Sequence, residues 1–178
     1  MQTNQLELRC IQQDADTQRT DFNFYIDGIA LDKWLGFEKQ TDLRFSDFDL
    51  DFFVVDKARF PNYDRHKIIR SKIEQYLGNK PVYTQLDNNR LVLYRCHCGS
   101  DYCSVIACDL EITNDYVKWF NIAYEDGLEK DDALELDEHG ITPIKQLIFN
   151  RKQYQQVFDE YLEQYLSLSK YSFITGRY

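Results

Sequence analysis

The sequence predicts an α+β fold: a mainly antiparallel sheet with two principal helices packed on one side. Three observations carry this. Apolar and polar residues alternate with period two in several short runs, three of them consecutive around residues 91–124. Two longer runs, about 62–77 and 151–167, space their apolar residues as a helix does. No Pro/Gly/Ser linker, repeat or low-complexity segment divides the 178 residues, so 1–178 is read as a single domain, long enough to bury a substantial core.

Each element follows from its own pattern. Leu6 to Ile11 reads as a strand, with Leu6, Leu8 and Cys10 alternating with Glu7 and Arg9. Asp21 to Ile26 sets Phe22, Phe24 and Ile26 on one face, and Asp27-Gly28 is a hairpin turn signal. Trp34, Leu35 and Phe37 either continue that hairpin or start a short helix. Phe45, Phe48, Leu50 and Phe52 mark a further strand that finishes at Val54 and Val55. Period two puts Asp47, Asp49 and Asp51 on its other face, where repulsion demands water or a cationic partner.

Asn62 to Leu77 reads as the first helix. Asn62 is its expected cap, Asp64 lies in the first turn, and Ile69, Ile73, Tyr76 and Leu77 form the apolar stripe. Gly78 is the stop. Arg65, His66, Lys67, Arg70 and Lys72 make this helix the most basic piece of the chain, read as a solvated face. After a turn at Asp87-Asn88-Asn89, the runs Leu91 to Cys96, Cys103 to Ile112 and Tyr116 to Tyr124 read as an antiparallel meander. A cysteine-rich turn links the first pair and Thr113-Asn114-Asp115 the second. Ile144 to Phe149 reads as a further strand. Asn150 then caps a helix from Arg151 to about Ser167, with Tyr154, Val157, Phe158, Tyr161, Leu162 and Tyr165 on one stripe.

Charge narrows the partners. The net charge is −9 and the isoelectric point about 4.8. Nucleic-acid phosphates and anionic membranes repel such a chain, so a basic protein is the expected macromolecular partner. The first residues show neither a basic n-region nor an apolar h-region, and no apolar run approaches membrane-spanning length. The expected compartment is the cytosol. Five cysteines without a secretion signal argue for reduced thiols or metal ligands rather than a disulfide framework.

Four of those cysteines lie between Cys96 and Cys108. Zinc takes four thiolate or imidazole ligands in structural sites, and Cys96, Cys98, Cys103 and Cys108 are the candidates, with His97 a fifth. On a strand, however, Cys96 and Cys98 share a face from which His97 points away. The two Cys-x-x-Cys pairs of a zinc ribbon are missing. A nucleophilic thiol wants a neighbouring cation or a helix N-terminus. Arg95 and His97 are close in sequence, but a strand turn supplies no helix. The reading is therefore buried, reduced cysteines packed in the sheet, with no cofactor. A zinc- or thiol-dependent protein centred on Cys96 to Cys103 is the alternative. No Gly-rich phosphate loop, nucleophile elbow or H-E-x-x-H helix occurs, and His66, His97 and His139 fall in no nucleophile pattern. No catalytic residue is assigned, and the chain is expected not to be an enzyme.

The pattern Cys96-His-Cys98-Gly99-Ser-Asp-Tyr-Cys103, followed by a strand and Val117-Lys-Trp119-Phe120, resembles a recurrent feature of small uncharacterised bacterial proteins. Those carry a C-x-C-G-x-x-x-C turn between strands and then a V-x-W strand. The likeness covers about Leu91 to Phe120 and implies a shared sheet segment and a bacterial origin, but no activity. In overall type the chain is similar to the immunity proteins of contact-dependent growth inhibition toxin systems, which are small, acidic and cytosolic.

One stretch gives that second likeness a physical basis. Glu125, Asp126, Glu129, Asp131, Asp132, Glu135, Asp137 and Glu138 face only Lys130 in opposition. Together with Asp47, Asp49 and Asp51 they form the expected partner-binding surface. A nuclease toxin holds phosphates in a positive cleft, and a display of carboxylates blocks such a cleft and steers encounter. The expected function is a non-enzymatic immunity or inhibitor protein that neutralises a basic toxin.

Overall fold

In the computed structural model, which describes residues 2–12, 20–37, 47–48, 64–82, 84–86, 88–96, 100–126 and 140–172, two antiparallel sheets share one apolar core. The smaller sheet is β1 (Leu6–Gln12), β2 (Thr20–Ile26) and β3 (Ile29–Ala30), in that order. Asp27 and Gly28 form the β2–β3 turn with φ of 51° and 82°. Two successive positive φ values suit the twist of a two-residue hairpin. Phe22, Phe24 and Ile26 are all buried, as their alternation predicts. A short helix, α1 (Leu31–Trp34), follows directly, so this segment leaves the hairpin.

The larger sheet runs β4-β5-β6-β7-β8, with β4 at Asp47–Phe48, β5 at Leu91–Arg95, β6 at Val105–Ile112, β7 at Tyr116–Glu125 and β8 at Ile144–Asn150. The expected meander is its centre. The second strand starts at Val105 rather than Cys103, because the Cys103 amide turns back to donate to Ser100 O at 3.2 Å. Of the acidic strand expected over 45–55, Asp47 and Phe48 are the described residues.

Helix α2 (Arg65–Tyr76) begins later than expected. Asp64, not Asn62, is its N-cap: the Asp64 carboxylate accepts from the Lys67 amide, satisfying an otherwise orphaned donor. Asn62 itself lies outside the described residues. The second long helix, α3 (Arg151–Ser172), starts at the expected cap, where Asn150 Oδ1 accepts from Lys152 N at 3.0 Å and Gln153 N at 3.2 Å.

Both long helices and the small sheet lie against the same face of the larger sheet. Phe24 shows this best. Its ring meets Tyr94 of β5 and Trp119 of β7 edge-on, at centroid distances of 6.1 and 5.2 Å, and Tyr76 of α2 at 5.9 Å. Several buried polar atoms inside this aromatic core are paired in a chain. Trp119 Nε1 donates to Tyr154 Oη at 3.0 Å, Tyr154 donates to Tyr76 O at 3.1 Å, and Tyr76 Oη donates to Val92 O at 2.7 Å. Tyr94 Oη donates to Asn23 Oδ1 at 2.6 Å and ties the two sheets together.

The opposite face of the larger sheet carries a smaller apolar cluster, Val92, Val105 and Ala107, packed under Leu86. Register shifts occur on both sides of it, between Val92 and Tyr94 and between Ala107 and Asp109. At the second shift Asn121 takes a left-handed φ of 52°.

Candidate functional site

One end of the larger sheet gathers the features that the sequence singled out. Pairing places Asp47 opposite Arg95, Arg95 opposite Val105, and Val105 opposite Glu125. These four residues form one row across four strands. At the usual strand spacing Asp47 and Glu125 are about 14 Å apart along it. The cysteine turn connects β5 to β6 at the same end. Asp47 and Glu125 therefore lie in one row beside that turn, β4 running from Asp47 away from it and β7 ending toward it. Asp49, Asp51, Glu129, Asp131, Asp132, Glu135, Asp137 and Glu138 lie outside the described residues, and of Asp47 only the backbone is described.

Glu125 is already engaged. Its carboxylate pairs with the Arg90 guanidinium and accepts from Asn88 Nδ2 at 2.7 Å. Arg90 is the centre of this network. Its Nε lies 3.2 Å from Asp109 Oδ1, too poorly aligned for a hydrogen bond, and its Nη2 donates to Ala107 O at 3.2 Å and to Asn121 O. Asn121 sits at the strand irregularity, where its carbonyl accepts from the guanidinium. Burial pulls the Arg90 pKa down, while Asp109 pulls it up. Two carboxylates and two carbonyls thus compensate one buried cation. Asp126, one residue on, is half-buried and lies 3.5 Å from Tyr124 Oη.

The cysteine turn is held by its aspartate. Asp101 is fully buried. It accepts from Arg95 Nε at 2.5 Å and from the Gln85 amide at 2.8 Å, and its own amide donates to Gln85 Oε1 at 3.0 Å. Cys96 N donates to Ser104 O at 2.9 Å and closes the base of the turn. Cys96 is buried and Cys103 exposed. Cys98, His97 and Gly99 lie outside the described residues. Cys108 is opposite Leu91, four residues along β6 from Ser104, or about 13 Å at strand rise. Burial pushes its thiol far up, against the opposing pull of Arg90. Among the described residues no group of three or more His, Cys, Asp or Glu side chains is placed to hold a metal ion.

Sequence reasoning missed Arg90 and Asp101. A lone cation opening the very apolar run Leu91 to Tyr94 was a usable signal for Arg90. Asp101 had none, since an aspartate in a turn is ordinarily solvated. No helix of the described chain is long and apolar enough to cross a membrane. Comparison with protein-family models, curated proteins and solved structures finds no match to this chain.

Proposed function

We propose that the chain is a non-enzymatic binding protein that receives a basic partner at the acidic end of its larger sheet. Its most concrete form is an immunity protein that neutralises a nuclease toxin by occluding the toxin's cationic cleft. The observation that supports this reading is the shared row of Asp47 and Glu125: two acidic residues far apart in sequence lie beside one turn. An acidic surface steers a cationic partner toward it. In this reading Glu125, held by Arg90, anchors the base of the acidic segment, and the carboxylates beyond it meet the partner.

The test is co-expression with the product of the neighbouring reading frame. The expected result is a stable complex, protection of the cell, and an association rate that drops about tenfold or more from low to physiological salt. A chain that neither copurifies with that product nor protects against it is not an immunity protein. A salt-independent association rate removes the role given to the carboxylates.

A further inference from the structure

Among the described residues two large apolar side chains are more than half exposed, Ile29 at 51 % and Tyr102 at 54 %. Ile29 sits beside the tight hairpin of the smaller sheet. Tyr102 sits in the cysteine turn, next to the row that holds Asp47 and Glu125. Among the described residues no hydrogen bond or ring contact holds its side chain to the rest of the protein.

Its backbone, by contrast, is firmly fixed. Asp101 on one side is fully buried and braced to Arg95 and Gln85. On the other side the Cys103 amide closes a turn onto Ser100 O at 3.2 Å. A solvent-facing aromatic on a pre-ordered turn loses little conformational freedom when a partner covers it. Tyrosine also serves as an interface anchor more often than most residues, through its ring face and its hydroxyl.

Resting on the functional reading above, we infer that Tyr102 is the anchor of the partner interface. Its ring face receives an arginine side chain of the basic partner. The chemistry favours arginine over lysine, because a planar guanidinium stacks on an aromatic ring and sheds water more readily than an ammonium. The chain's net charge of −9 brings the cation to this surface, and Tyr102 then selects it.

The test uses two defined probes, fluorescently labelled nona-arginine and nona-lysine, with binding followed by anisotropy at low salt. The wild-type chain is expected to bind nona-arginine several-fold more tightly than nona-lysine. Tyr102→Ala weakens nona-arginine binding by about tenfold and abolishes the preference. Tyr102→Phe, which keeps the ring, retains most of both, and Ile29→Ala on the other sheet matches wild type. If Tyr102→Ala binds both peptides as wild type does, the anchor is wrong and the acidic-surface reading stands. If wild type binds neither peptide, both are wrong.

Discussion

A buried guanidinium costs several kcal/mol in desolvation unless its charge and donors are matched. Arg90 meets that condition through Asp109, Glu125 and the carbonyls of Ala107 and Asn121. Removing it leaves two carboxylates facing each other in a partly buried site. Arg90→Ala is therefore expected to destabilise the fold by about 3–5 kcal/mol, read as a lower urea midpoint. A loss below about 1 kcal/mol puts the network in solvent, against the geometry. Tyr154 supplies a second residue-scale prediction. Burial holds its phenol well above the ordinary value of 10.0. Above that pH the unfolded chain loses the proton and the folded chain keeps it. The contribution is thus complete below pH 10 and declines as pH rises, by up to about 1.4 kcal/mol per unit. Tyr154→Phe should cost about 1–3 kcal/mol at neutral pH, since Trp119 Nε1 and Tyr76 O lose a partner. It should also flatten the alkaline decline. Parallel stability curves for the two proteins over roughly pH 8 to 11 rule this out.

Elements end where their orphaned backbone groups find partners, and α2 illustrates this fully. Gly78 N donates to Gln75 O at 3.1 Å and Asn79 N to Glu74 O at 2.8 Å, the pair of bonds of a Schellman cap. The first turn of α3 completes the cap from outside the helix: Tyr154 donates to Tyr76 O and Arg151 Nη2 reaches Leu77 O at 3.4 Å. Gly78 has φ of 72°, and a Cβ there would lie 2.5 Å from Ile112 Cδ1. Gly78→Ala is expected to cost about 1–2 kcal/mol in backbone strain, plus the clash. Adding Ile112→Val relieves the clash and leaves the strain. If the double variant is no more stable than Gly78→Ala, the clash contributes nothing. Gly78 was legible in the sequence as a stop, because glycine is the usual left-handed residue. Its tight contact with β6 was not, because that contact joins segments more than thirty positions apart. The same holds for the cap of α2. Asn62 and Asp64 are both good capping types, and only the folded backbone decides which one faces an amide.

At the scale of the whole molecule, Asn4, just before β1, adds a polar junction between the two sheets. Asn4 N donates to Ile148 O at 2.6 Å, its Oδ1 accepts from Ile148 N at 3.1 Å, and its Nδ2 donates to Asp27 Oδ2 at 2.7 Å. It bridges β8 in parallel and pins the Asp27-Gly28 hairpin at once. Asn4→Ala keeps the backbone bond and loses both side-chain bonds, for an expected cost of about 1–2 kcal/mol. Hydrogen exchange should quicken at Ile148 and around the hairpin while the meander amides stay protected. Uniform loss of protection would mean that Asn4 supports the entire fold and not the junction alone.

The α+β class, the meander, the apolar stripes of both long helices, the Asn150 cap and the acidic balance were all determined by the sequence alone. Each depends on neighbours within a few positions, or on composition. The tertiary structure decided the rest. It set the order of the strands, seated both sheets on one aromatic core, and put Arg90 into the gap that the strand irregularity opens. It also brought Asp47, the cysteine turn and Glu125 to a single end of the sheet. These depend on cross-strand register and on burying charges among distant partners, which no local pattern encodes.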